Sequence, residues 1–189
     1  AASDQGAYFR VDKLKDGGKS VQLVGTVERG VAAAAPAGAV QQGSPGEDIL
    51  TPKYAELVLA PSGQWEALLV GDVELKTSES EKAVFGFKGD RAATFDMLRI
   101  CIQETQSRNI NSLEILVSDS PSGPFESVGV FQPQNMRIHK TGGWQEFRFA
   151  PVTARYVVLK AASDQGAYFR VDKLKDGGKS VQLVGTVGP

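Results

Sequence analysis

The side chains best suited to chemistry are the scarcest in this chain: one cysteine (Cys101), one histidine (His139) and two tryptophans (Trp65 and Trp144). A thiol and an imidazole form a nucleophilic pair only when they touch and a third group orients the base. Cys101 stands between Ile100 and Ile102 in a strand-like pattern, as a small core residue would. His139 sits beside Arg137 and Lys140 in a loop-like stretch. The two are therefore read as separate residues. Lys179-Ser180 after Gly178 imitates the end of a phosphate-binding loop, but that loop needs another glycine five residues before Gly178, where Lys173 stands. A carboxylate pair for glycosidic hydrolysis is defined by its separation across a cleft, and a compact chain without a long loop rarely supplies one. Recognition is left. Aromatic faces pack on the apolar faces of sugars, which singles out Trp144, Trp65 and Tyr54, with Trp144 helped by the Gly142-Gly143 hinge before it. Arg108, Arg137, His139 and Lys140 could form a basic rim. The ligand contacts expected are Trp144, Arg137, His139 and Trp65.

Composition narrows the partners. Lys and Arg number 21 against 22 Asp and Glu, a formal net charge of -1, so there is no electrostatic basis for nucleic acid or an anionic membrane as partner. A single cysteine excludes an internal disulfide framework and a Cys-rich zinc site. No apolar run approaches the roughly 20 residues of a transmembrane helix, so membrane insertion is not expected.

The elements that must position these residues follow from a repeat. Residues 1–27, AASDQGAYFRVDKLKDGGKSVQLVGTV, recur letter for letter at 161–187, 160 residues later. Drifted duplications do not stay identical, so the chain reads as a window onto a tandem array or as the product of a deliberate duplication. Residues 28–47, rich in Ala, Gly and Pro, read as a linker. The domain then runs over 48–187 and includes the second copy at 161–187. Its short β patterns are Ala55–Ala60, Lys82–Lys88, Thr94–Gln103, Ser112–Ser118, Trp144–Phe149 and Arg155–Lys160. In Thr94–Gln103, alternation puts Phe95, Met97, Arg99 and Cys101 on one face and Leu98, Ile100 and Ile102 on the other. The repeated segment reads as a hairpin, with Tyr168–Lys175 and Ser180–Val187 flanking an Asp176-Gly177-Gly178 turn. Some eight to ten short strands without a long amphipathic helix argue for an all-β sandwich. Residues 1–27 are then the closing hairpin of a preceding unit, marginal alone in water.

Between Phe85 and Arg155, the stretches FGFKGDRAATFDMLRI, SLEILVSDSPSGPFESVGVFQPQN and WQEFRFAPVTARYVVLK resemble the discoidin, or coagulation-factor C-type, branch of the galactose-binding-like jelly rolls. The marks are the Ser-Pro-x-Gly-Pro-Phe turn at Ser120–Phe125, then Phe131 and Gln134-Asn135, then Pro151–Val157. The resemblance spans roughly 48–176. It implies a jelly-roll β-sandwich that is non-catalytic and binds glycans, headgroups or proteins through loops. It also implies a structural calcium near the termini, for which Asp72, Thr77 and Asp172 are the candidates by position; Asp172 stands where the family usually has Glu.

Two functions follow from these readings. In the first, the chain is a unit of an extracellular filament or surface stalk, and its partners are neighbouring copies of itself. Units join by linker packing or β-strand complementation through Tyr8, Phe9, Val11, Leu14, Val21 and Leu23. In the alternative, it is a glycan-binding or adhesion module acting through sandwich loops, with repetition supplying avidity. Both place it outside the cell or on its surface.

Overall fold

A computed structural model of the 189-residue chain describes residues 8–13, 19–24, 46–78, 80–136, 143–161 and 167–189, the first two segments and Ala167 as backbone only. Two compact units divide the chain, Ala1–Gln42 and Gly43–Pro189. In the first, β1 (Tyr8–Lys13) and β2 (Lys19–Val24) form an antiparallel hairpin in register from Tyr8↔Val24 to Lys13↔Lys19. Leu14 lies outside the described residues.

The second unit holds two main sheets. The four-stranded sheet has the order β10 (Trp144–Ala154), β7 (Ala93–Cys101), β13 (Val181–Val187) and β3 (Glu47–Asp48). The five-stranded sheet has the order β4 (Ala55–Leu59), β6 (Lys82–Phe87), β11 (Tyr156–Ala161), β8 (Leu113–Ser118) and β9 (Glu126–Phe131). A short ladder of β5 (Val73–Thr77) with β12 (Ala167–Val171) completes it. One cluster of buried side chains fills the interior, among them Phe85, Leu98, Ile100, Ile115, Val157 and Leu183. The all-β sandwich expected from the strand count, and the jelly roll that the family resemblance implies, is the observed fold.

Simple alternation accounts for part of this core. In β8, Leu113, Ile115 and Val117 all point inward, as a period of two requires. In β7 alternation breaks. Val184 pairs with Met97 and Gly185 with Phe95, so Asp96 is an extra residue on the β7 side. That bulge moves Phe95 to the core face with Leu98 and Ile100, and leaves Met97 and Arg99 on the outer face. In β6 both faces are covered: Ala83, Val84, Phe85 and Phe87 are all buried, with Val84 in register between Val158 and Leu59. The run around Ala67–Val70 forms a 3-10 helix, Gly63–Leu69, that inserts Trp65, Leu68 and Leu69 into the core.

The second repeat copy departs from the expected hairpin. Its turn is present, with a Lys173↔Lys179 bridge and a Leu174 N–H donated to the Gly178 carbonyl. Asp172 and Ser180 still exchange two hydrogen bonds, the Ser180 N–H to the Asp172 carbonyl and the Asp172 N–H to Ser180 Oγ, and beyond them the two arms part. β12 pairs with β5, and β13 enters the four-stranded sheet between β7 and β3. Each arm gains more apolar burial from its own sheet than from its sister: Phe169, Val171, Val181 and Leu183 are all nearly fully buried. The same letters in β1 and β2 stay zipped, in the matching register at the turn.

Candidate functional site

Trp144 opens β10 and pairs with Cys101 at one end of β7. Two residues along, Glu146 pairs with Arg99, so Trp144, Glu146 and Arg99 share the outer face of the four-stranded sheet. The Arg99 guanidinium lies 4.4 Å from the centre of the Trp144 ring. Arg99 Nε lies 3.1 Å from Glu146 Oε1, out of hydrogen-bond alignment, and this buried N–H has no hydrogen-bond partner. Gln182, opposite Arg99 on β13, borders the patch. The result is a half-buried indole flanked by a cation with an unused donor and a carboxylate.

The loops beside it are tied by side-chain amides. Gln145 clamps the backbone of Gln134, accepting its N–H at 2.7 Å and donating to its carbonyl at 2.7 Å. Asn135 Oδ1 accepts from Asn109 Nδ2 at 2.7 Å, and Asn135 Nδ2 donates to the Gln106 carbonyl at 2.6 Å. Asn109, almost wholly buried, also donates to the Glu104 carbonyl. These bonds fix the chain where it departs beyond Met136 and the strand where it returns at Trp144. Arg137 and His139, expected as ligand contacts, lie outside the described residues.

Trp65 is a correction. It is 3% exposed and packs against Phe169 with ring centres 5.3 Å apart, so it belongs to the core. The apolar run after it signalled a helix turn directed inward.

The calcium set does not assemble. Asp72 stands in the turn just before β5 and Thr77 at the strand's far end, roughly 16 Å apart by strand rise. Thr77 Oγ1 is engaged with Glu81, and Asp172 Oδ1 accepts from Arg170 Nε at 2.8 Å. Calcium needs six or more converging oxygens. Among the described residues no group of three His, Cys, Asp or Glu side chains could hold a metal.

A larger cleft, about 560 Å³, lies at the other end of the sandwich, between the Ser118–Glu126 turn and Thr153-Ala154. Phe125 is its only aromatic residue, and Asp119 and Glu126 give it an acidic lining.

Sequence reading put Arg99 in phase with Met97 and Cys101, on the face opposite Leu98, Ile100 and Ile102, without saying which face is outer. It missed the pairing of Arg99 with Glu146 beside Trp144, because register between distant strands is not written in either one. Lys179, dismissed as a phosphate ligand, has a different role: its ammonium is buried 2.9 Å from Asp48 Oδ2 and donates to the Val181 carbonyl.

No family model and no curated protein matches the chain. Among solved structures, the C-terminal domain of a chitobiase from Bacteroides fragilis aligns at a TM-score of 0.50 and 14% identity, over 77% of this chain and 100% of that one. A family 32 carbohydrate-binding module from Clostridium perfringens, in complex with GalNAc-β-1,3-galactose, aligns at 0.48 and 12%, over 75% and 99%. The family 32 module of a second Clostridium perfringens protein, NanJ, in complex with galactose, aligns at 0.45 and 13%, over 67% and 93%. The fold is thus the discoidin-like, galactose-binding-like jelly roll that the stretch from Phe85 to Arg155 resembles.

Proposed function

We propose that this chain is a non-catalytic carbohydrate-binding module that takes a sugar at Trp144. The observation that carries the reading is the half-buried Trp144 ring held beside Arg99 and Glu146 at the mouth of an amide-locked loop cluster. An indole face suits the apolar face of a sugar ring, and the partly exposed Arg99 guanidinium and the Glu146 carboxylate suit its hydroxyls. The galactose-type sugars carried by the structurally similar modules name the first ligands to try. A location outside the cell or on its surface accords with such a role; among the described residues no helix is long and apolar enough to cross a membrane.

The test is titration with galactose, GalNAc-β-1,3-galactose and a wider glycan panel, read by Trp fluorescence in a Trp65→Phe background. Binding should quench Trp144, and Trp144→Ala should weaken it about tenfold or more. Phe125→Ala, in the opposite cleft, should leave binding unchanged. Loss of binding on Phe125→Ala with none on Trp144→Ala would move the site to that cleft.

A second reading, a unit of a tandem array, is favoured by the letter-perfect recurrence of 1–27 at 161–187. The later copy is an integral part of the sandwich core, so an array of this period would consist of complete sandwiches joined by the Ala/Gly/Pro-rich linker. The two readings are compatible, because repetition of a weak sugar site raises avidity.

A further inference from the structure

We propose that the groove closed by residues 161–187 also accepts residues 1–27, either of the same chain or of a second copy, so that the sandwich has two interchangeable closing segments. This inference rests on the repeat and not on the sugar-binding reading.

Three observations carry it. First, the closing segment is a separate two-armed piece. Its arms are bonded to each other only near the turn, and each inserts into a different sheet. Second, everything the groove demands is present in the other copy. Phe169, Val171, Lys179, Val181 and Leu183 are each at most 4% exposed, and their counterparts are Phe9, Val11, Lys19, Val21 and Leu23. Gly185 lies so tightly against β7 that a Cβ there would be 2.3 Å from the Thr94 carbonyl oxygen; its counterpart is Gly25. The turn register is already the same in both copies, Lys13↔Lys19 and Lys173↔Lys179. Third, the connection closes. β3 begins beside the end of β13, with Glu47 opposite Gly185, and Gly46 packs on the Gly185 backbone. A chain entering the groove through 1–27 would leave it at Val27, roughly 10 Å from Gly46 by strand geometry. Residues 28–45 reach roughly 60 Å when extended, so they span that gap with ease.

Nothing in the side chains distinguishes the two closures, so their balance rests on the connections. Closure by 161–187 loops residues 162–166; closure by 1–27 loops residues 28–45. Loop-closure entropy favours the shorter by about sevenfold, which accords with 161–187 occupying the groove. The copy left outside is a two-stranded hairpin, which has little stability to lose on leaving water. When 1–27 of one chain enters the groove of another, the displaced 161–187 is free to enter a third, and the assembly propagates.

Disulfide trapping in the full chain tests this, in a Cys101→Ser background. Thr186 and Thr94 are exposed cross-strand partners, and Thr26 is the counterpart of Thr186. Thr94→Cys with Thr186→Cys reports closure by the later copy. Thr94→Cys with Thr26→Cys reports closure by the earlier one. The second pair should cross-link at roughly a seventh of the yield of the first. Adding Phe169→Ala should shift the balance by on the order of a hundredfold and make the Thr26 cross-link dominant. Cross-linked dimers should rise with protein concentration. As an independent readout, Phe169→Ala should retain a cooperative thermal transition that disappears when Phe9→Ala is added. The proposal is overturned if the Thr186 pair cross-links and the Thr26 pair does not in either background. It is equally overturned if Phe169→Ala alone abolishes the transition. Trp144, Arg99 and Glu146 lie outside both copies, so neither result bears on sugar binding.

Discussion

Lys179 carries an ammonium group into apolar surroundings, where Leu50, Leu69, Phe169 and Val181 line the same small void. Its side chain is 4% exposed and that of Asp48 13%. Asp48 earns its burial through other bonds as well, accepting from the Leu50 N–H at 3.1 Å and the Leu183 N–H at 3.3 Å. Burial holds the Lys179 pKa below its ordinary value of 10.5, with the Asp48 charge and hydrogen bond opposing. The folded chain therefore loses this proton at lower pH than the unfolded chain does. Between the two values the unfolded state binds more protons, so stability gains with rising pH and levels off near 10.5. Urea titrations at rising pH up to about 10.5 should show that gain in the parent relative to Lys179→Met. At neutral pH, Lys179→Met should cost about 3–5 kcal/mol by leaving the Asp48 carboxylate buried without its cation, and Asp48→Asn in the same chain should restore part of the loss. None of this was visible in the letters. Lys179 follows a Gly-Gly turn and Asp48 follows a linker, and only the closing of the sandwich brings them together.

At the scale of strands, what was legible was what depends on local alternation. The inward face of β8 follows from period two, and the turn at Asp176–Gly178 follows from residues that tolerate its geometry. Legibility ended where tertiary packing overrides a local pattern. The bulge at Asp96 exchanges the faces of β7 midway, and the arms of 161–187 part because two separate sheets offer them more burial than they offer each other. The bulge also accounts for a glycine. Opposite it, Gly185 is pressed against Phe95 and the Thr94 carbonyl, with no space for a methyl group. Gly185→Ala should destabilise the sandwich by about 3 kcal/mol, since the obstacle is backbone and cannot rotate away. Gly63→Ala, where an added Cβ meets nothing within 4 Å, should change stability by less than about 0.5 kcal/mol. Calorimetry of the two variants separates a packing requirement from a general intolerance of glycine replacement. The candidate site was half legible for the same reason: Trp144 stood out by its type, while Arg99 and Glu146 became its neighbours only through the β7–β10 register.

For the molecule as a whole, the sandwich holds its own closing strands, and among the described residues the buried cluster lies in the unit from Gly43 to Pro189. A chain beginning at Gly46 should therefore unfold cooperatively at a midpoint within about 2 °C of the full chain's. It should also stay monomeric at concentrations where the full chain exchanges segments, so that light scattering and a thermal scan on the two lengths divide stability from association. The place where the sandwich begins and ends has a mechanical meaning too. β3 and β13 are antiparallel neighbours joined through only two registered pairs, Asp48↔Val184 and Glu47↔Gly185, with their free ends at the same edge. Tension between those ends loads the pairs one after the other, as in a zipper, and not all at once, as in a lap joint. In a string of such domains the first event under load is the peeling of β3. That draws Asp48 away from Lys179 and gives each domain a few residues of slack well before its two sheets come apart.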